Sequence, residues 1–335
     1  MPTFSTSSET RQPAVQSADR YVVVGHPIAH SKSPFIHARF AEQTHEPVVY
    51  EHLLSPLDGF VSTVREFVAQ GGKGLNVTVP FKLEAHALAD HLSPRAAAAG
   101  AVNTLKVEPD GTLSGDNTDG VGLVRDIEHN LGVSLAGARL LLLGAGGASR
   151  GVVLPLLDAG VREIVIVNRT SAKAAELAVA FDPTGTRVCG GDASLAKGAF
   201  DVIVNATAGS LDGDVPSYGE DSVGPATLAY DMMYAAHPTV FMADAAARGA
   251  RVADGLGMLV EQAAESFLIW RGTRPEGGPV LAQLRAMLDA SSAANVNAAL
   301  TPAGEQRVVA GPGPSGRVAS VSGTSNAPDT SGASR

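Results

Sequence analysis

Residues 138–150 read ARLLLLGAGGASR, and no other stretch limits the fold as strongly. The run of leucines leaves no polar face, so the strand it forms must be covered on both sides, as strands of parallel sheets are. The glycines that follow make a tight turn, and the chain then opens a helix. VREIVIVNRT (161–170) supplies the next strand, and a helix through AAELAVAF comes after it. DVIVNAT (201–207) and LAYDMMY (228–234) read as two further parallel strands. A βαβ series of this kind implies an α/β fold with a doubly wound sheet.

The turn also carries chemistry. Gly144 and Gly146 hold the first two positions of GxGxxG, and Ser149, a small residue, holds the third. The stretch Gly144, Ala145, Gly146, Gly147, Ala148 therefore brings bare backbone to a helix N-terminus, where a pyrophosphate can sit. The plainer alternative is an ordinary strand-to-helix turn. The end of the second strand favours the dinucleotide. An NAD site usually carries a carboxylate there for the ribose 2′-hydroxyl. This chain has Asn168-Arg169-Thr170 instead, with Lys173 one turn on. Cations at a helix start are mildly unfavourable against its dipole, so their placement favours a bound anion. A 2′-phosphate fits, which makes the expected cofactor NADP.

The N-terminal half alternates differently. YVVVG (21–25) is a strand, Ser33-Pro34 caps a helix, and VVYEHLL (48–54) is the next strand. Ser55-Pro56-Leu57-Asp58 resembles a capping-box start, and GLNVTV is a third strand. A short helix runs from Ser93-Pro94 to Gly100, and NTLKV, EPDG and TLSGD read as a hairpin. The pattern resets near residue 120, so a mixed α/β domain over 20–119 precedes a Rossmann-like dinucleotide-binding domain over 120–254. GMLVEQAAESFLIW (257–270) is an amphipathic helix, and a last helix covers about 279–289. Residues 1–19 and 291–335 cannot bury enough apolar surface to offset ordering entropy and are expected to be disordered tails.

Bulk properties exclude several classes. A net charge of −9 argues against a nucleic-acid or anionic-membrane partner. No apolar run reaches the length of a membrane span, and the polar start lacks a secretory pattern. Cys189 is the single cysteine, so no internal disulfide forms and a cytoplasmic location is expected. His26, His30 and His37 have no Cys, Asp or Glu at ligand spacing, so no metal is expected.

GLNVTVPFK (74–82) poses the remaining question. A short apolar strand delivers Asn76, Thr78 and Lys82 to one end. Asp119 follows in GDNTDG. A nicotinamide enzyme reducing a ketone must protonate the developing alkoxide, and a lysine beside a carboxylate can do so in both directions. A structural salt bridge, or two unrelated surface charges, is the alternative that the sequence leaves open.

GHPIAHSKSP, NVTVPFK, GAVNTL, GDNTDG, GAGGASR, NRTSAK, YDMMY and ADGLGMLVEQA, in this order over residues 21–290, resemble shikimate dehydrogenase. The resemblance implies NADP-dependent, reversible reduction of 3-dehydroshikimate to shikimate in aromatic amino acid biosynthesis. It implies two domains with the active site between them, the chain returning at 255–290 to complete the substrate domain. It further implies that Ser31 and Ser33 hydrogen-bond the substrate carboxylate, and that Thr78, Asn103 and Asp119 bind the ring hydroxyls. Lys82 matches the catalytic lysine, with Asp119 as its partner. Tyr234 and Gln262 match further substrate contacts, and Met232 and Gly255 match residues lining the nicotinamide. The sequence departs from the pattern at Ala208, Gly209 and Ser210, in a loop near the nicotinamide. A small-molecule substrate is the expected partner, with a homodimer left open. Three readings compete: an NAD-linked quinate/shikimate dehydrogenase, a non-catalytic metabolite sensor on the same fold, and a methylene-tetrahydrofolate dehydrogenase. The basic run at Asn168–Lys173 argues against the first, the presence of both Lys82 and Asp119 against the second, and the pairing of SKSP with NVTVPFK against the third.

Overall fold

Two six-stranded sheets organise the chain in a computed structural model that describes residues 18–300 except 208 and 210–212, with side chains to residue 290. The chain divides into a large unit, Met1–Ala293, and a small one, Ala294–Arg335, of which only helical backbone to Leu300 is described. Most of both expected tails thus lies outside the described residues. So do Ala208 and Ser210.

The first sheet begins with β1 (Asp19–Gly25), α1 (Ser33–Thr44), β2 (Val48–Leu54), α2 (Phe60–Ala69) and β3 (Gly74–Val77). It continues through α3 (Lys82–Leu88), β4 (His91–Leu92), α4 (Pro94–Ala99), β5 (Thr104–Val107) and β6 (Leu113–Asp116). Its order is β2-β1-β3-β5-β6-β4, mixed in direction because the β5–β6 hairpin enters antiparallel to β3. Helix α5 (Asp119–Arg125), extended by a π-helical turn over Asp126–Asn130, then leads to the second sheet.

That sheet is built from β7 (Arg139–Leu143), α6 (Gly147–Asp158), β8 (Glu163–Val167), α7 (Ser171–Phe181), β9 (Val188–Gly191) and β10 (Val202–Asn205). It closes with β11 (Leu228–Asp231), α8 (Val240–Ala247) and β12 (Arg251–Asp254). Every pair in the order β12-β11-β10-β7-β8-β9 is parallel. The leucines of β7 divide between two cores: Leu140 and Leu142 face one side, Leu141 and Leu143 the other. Helices α9 (Leu256–Arg271) and α10 (Gly277–Leu300) follow, and α9 packs against Ile36 and Phe40 of α1.

Local details differ from the sequence reading. Ser33 does not cap α1: Lys32 holds the cap position without a side-chain bond, and Ser33 is the first helical residue. Ser55 starts no helix either; α2 begins at Phe60 after Gly59, and the Ser55 hydroxyl bonds Pro56 O and Thr63. In both places proline at the second position stiffens the backbone but does not decide which residue turns first. Ser93 does cap, accepting from the Ala96 N–H at 3.2 Å. The strands β9 and β12 carry too short an apolar pattern to stand out, and α10 runs ten residues past the boundary expected at 290.

Helices α5 and α9 approach closely. A Cβ on Gly122 would lie 2.7 Å from Gln262 Cβ, and one on Gly257 would lie 1.9 Å from Asp126 Oδ1. Asp126 cannot retreat, because its carboxylate accepts from Tyr230 Oη at 2.6 Å and Asn130 Nδ2 at 2.8 Å. Gly257→Ala is therefore expected to destabilise the fold by about 1–3 kcal/mol, an overpacking cost. A fall in the urea midpoint at unchanged slope would register it.

Candidate active site

β3 stops at Val77, and the next residues turn into α3 through Thr78, a cis Val79–Pro80 bond and Phe81. Phe81 is fully buried and stacks on Phe60 at 4.9 Å between centroids, which anchors the first turn of α3. Lys82, its first residue, thereby faces a cleft. Thr78 comes so near Gly25 that a Cβ there would meet Thr78 Cγ2 at 2.6 Å. Holding Thr78 at the strand end therefore requires glycine at position 25.

Lys82 Nζ lies 2.6 Å from Asp119 Oδ2, with side chains 32% and 18% exposed. Asp119 opens α5, and its other oxygen accepts from Asn103 Nδ2 at 2.7 Å. Sequence reasoning could not show this proximity. The pair sits in a cleft of about 380 Å³ whose walls include Ser31, Ser33, Thr78, Asn103, Tyr234 and Gln262, and also Met232 and Gly255. The volume suits a small molecule. Ser31 Oγ lies 3.1 Å from Ser33 Oγ, and the Ser33 N–H lies 3.3 Å from Ser31 Oγ.

Asn76 also lines the cleft, and no role was expected for it. The available signal was its place in GLNVTV, where the sequence reads it and Thr78 two apart on one expected strand, although β3 ends at Val77. Below it runs a buried polar floor. Tyr50 Oη donates to Asn76 Oδ1 at 2.7 Å, and Asn76 Nδ2 donates to Ser266 Oγ at 3.0 Å and Thr104 Oγ1 at 3.1 Å. Arg95 braces the rim from behind. It donates two bonds to Asp116, at 2.6 and 2.9 Å, and one to Glu265 of α9 at 2.9 Å. It thus ties the segment before Asp119 to the helix that carries Gln262.

The second candidate region lies at the C-terminal ends of β7 and β8. Gly144 turns the chain with φ +107, and α6 starts at Gly147 with no side chain capping its N–H groups. Space beside Gly146 and Gly147 is open, with nothing within 4 Å of an added Cβ. An exposed helix N-terminus with bare backbone fits a diphosphate. An adjoining cavity of about 710 Å³ is lined by Gly144, Asn168, Arg169, Asp192, Thr207 and Gly209, among others. Ala145, Gly146, Gly147, Ala148, Thr170 and Lys173 are not among its walls. Asn168 Nδ2 donates to Thr170 O at 3.0 Å, holding the start of the α7 turn. Among the described residues no salt bridge holds Arg169 or Lys173; Arg169 lines this cavity together with Asp192 and Asp214, and Lys173 lies outside it.

Three family descriptions match the chain. They are the shikimate dehydrogenase substrate binding domain over residues 23–105, shikimate / quinate 5-dehydrogenase over 126–211, and the shikimate 5′-dehydrogenase C-terminal domain over 255–285. A shikimate dehydrogenase (NADP(+)) of Cupriavidus taiwanensis is 57% identical over 287 residues, spanning 83% of this chain and 97% of that protein. Among solved structures, an Ael1 enzyme from Pseudomonas putida is 48% identical with a TM-score of 0.76, covering 80% of this chain and 98% of that one. A shikimate 5-dehydrogenase from Thermus thermophilus, in complex with NADP(H) and shikimate, is 34% identical with a TM-score of 0.70, covering 80% and 99%.

Proposed function

The chain belongs to the shikimate dehydrogenase family, and on that premise we propose that it catalyses the NADP-dependent, reversible reduction of 3-dehydroshikimate to shikimate, with Lys82 and Asp119 handling the proton. The observation that carries the reading is the 2.6 Å contact between Lys82 Nζ and Asp119 Oδ2 at the wall of a cleft also lined by Ser31, Ser33 and Thr78. In this reading residues 20–119 with 255–290 form the substrate half and 120–254 the cofactor half, in a cytoplasmic enzyme with no nucleic-acid partner.

Ser31 and Ser33 present two hydroxyls to the substrate carboxylate. Ser31 Oγ donates to Ser33 Oγ, which fixes the separation of the two hydroxyls. Thr78, Asn103 and Asp119 take the ring hydroxyls, and Tyr234 and Gln262 close the opposite wall. The Gly144–Ala148 turn would hold NADP, which would supply the hydride acceptor when oxidised and the donor when reduced. Lys82, as ammonium, gives a proton to the ketone oxygen as it becomes an alcohol. In reverse its amine takes that proton back. Asp119 orients the ammonium and offsets its charge, while Asn103 holds the second carboxylate oxygen.

The test is absorbance at the nicotinamide band, with shikimate or quinate against NADP or NAD. Fast reduction with shikimate and NADP alone supports the reading. Equal rates with quinate or NAD move it to the quinate/shikimate branch, and no reduction with any pair refutes it. Arg169→Ala probes the cofactor arm. A charge-assisted hydrogen bond contributes about 1.5–3 kcal/mol, so the KM for NADP should rise about tenfold to a hundredfold while that for NAD stays put.

A further inference from the structure

We propose that Thr118, a residue with no assigned role, positions the two substrate-facing amides, Asn103 and Gln262. The inference rests on the reading of the cleft as the substrate site. Thr118 is fully buried at the N-cap position of α5. A threonine there ordinarily turns its hydroxyl onto the first N–H groups of the helix. Thr118 makes no such bond. Its Oγ1 instead lies 3.0 Å from Asn103 Nδ2, 3.2 Å from Asn103 Oδ1, and 3.3 Å from both Gln262 Oε1 and Ser266 Oγ.

A hydroxyl has one proton and two lone pairs. Asn103 Oδ1 already accepts two shorter bonds, so the hydroxyl accepts from Asn103 Nδ2 and gives its proton to Gln262 Oε1, serving both amides. The Thr118 backbone N–H donates to Asn103 Oδ1 at 2.9 Å, and Thr104 Oγ1 donates to the same oxygen at 2.9 Å. Asn103 thus has its oxygen turned inward and its nitrogen turned to Asp119 Oδ1 at 2.7 Å. A flipped amide would set its oxygen against that carboxylate. Gln262 is held the same way round. Its oxygen meets Thr118, its Nε2 donates to Leu259 O at 2.9 Å, and the second proton on Nε2 is free for the cleft.

Without the hydroxyl, Gln262 Oε1 keeps only the 3.4 Å contact from Asn103 Nδ2, and Asn103 Nδ2 loses one acceptor while its oxygen stays held by the Thr118 N–H and Thr104 Oγ1. Thr118→Val keeps the shape and removes the hydroxyl, whereas Thr118→Ser keeps the hydroxyl. Thr118→Val is expected to lower kcat/KM for shikimate about tenfold to a hundredfold, the cost of a buried hydrogen-bond partner left unmade. The loss should fall mainly on KM, with kcat and its pH profile little moved, because Asp119 keeps its donors Lys82 and Asn103 while Gln262 loses the hydroxyl. Thr118→Ser should recover most of it. The direct readout is the side-chain amide signals of Asn103 and Gln262 in ¹H–¹⁵N spectra of the full chain, identified with Asn103→Asp and Gln262→Glu. They should shift and exchange faster in Thr118→Val and stay near their wild-type positions in Thr118→Ser. Unchanged amide signals in Thr118→Val, or equal loss in both variants, would overturn the proposal. If the wild-type chain fails to turn over shikimate, the functional reading falls by itself, and the amide spectra still decide the role of Thr118.

Discussion

Lys82→Met is expected to reduce kcat/KM for shikimate by about 10²–10⁴-fold, the range that general acid–base help supplies. Methionine keeps the unbranched length and removes the proton. The fold should survive, because the lysine side chain is 32% exposed and ion pairs of that kind contribute about 0–1 kcal/mol. Asp119 is not stranded, since Asn103 still donates to it at 2.7 Å. The loss should appear in kcat, because the proton moves only as the alcohol forms or breaks. Steady-state kinetics beside a circular-dichroism melt separate the two effects. A variant with wild-type kcat would sink the proton role, and one with a collapsed melting curve would call for Lys82→Arg, which keeps the charge.

A second large effect is expected in stability at acid pH. His37 is fully buried, stacked on Tyr50 at 4.1 Å between centroids, with Trp270 at 5.4 Å and Phe40 and Phe267 also against it. Neither ring nitrogen has a hydrogen-bond partner among the described residues. Burial in this aromatic box lowers its pKa to about 3. The folded protein therefore keeps His37 neutral, whereas the unfolded chain protonates it near the ordinary value of about 6.5. Between those two values the unfolded state binds more protons, so stability rises with pH. The contribution is fully present above about pH 6.5 and is lost as pH falls towards 3, at about 1.4 kcal/mol per unit and about 5 kcal/mol in total. His37→Phe keeps a stacked ring without the titration. Urea unfolding at pH 7 and pH 4.5 should show the variant gaining about 3 kcal/mol on the wild type between the two. Carboxylates elsewhere titrate alike in both chains and cancel. A pH-independent difference would mean that His37 is not held neutral.

Much of the fold was legible because it rests on local pattern. The strand at Arg139–Leu143, the glycine turn and the strand at Glu163–Val167 declare themselves through runs of leucine, isoleucine and valine that no exposed position tolerates. The hairpin of Thr104–Val107 and Leu113–Asp116 declares itself through its turn. Helix starts were less legible. Ser33 and Ser55 look like caps by composition, yet neither hydroxyl reaches a helix N–H, because it meets Ser31 in one case and Pro56 O and Thr63 in the other. The short edge strands Val188–Gly191 and Arg251–Asp254 take their pairing from neighbours already in place, a cooperative effect that a window of sequence does not contain.

The sequence by itself determined the doubly wound sheet, the bare-backbone turn at Gly144–Ala148, and the cations in place of a carboxylate after the second strand. Each of these depends on residue type and spacing within one element. Tertiary structure alone decided that Lys82 meets Asp119, that Asn103 and Gln262 share Thr118, and that His37 lies in a closed aromatic box. Those depend on where α9 and the β5–β6 hairpin come to rest against β3, α1 and α5. Contacts between groups remote in sequence are settled by packing and by the need to pair every buried polar atom, not by local propensity.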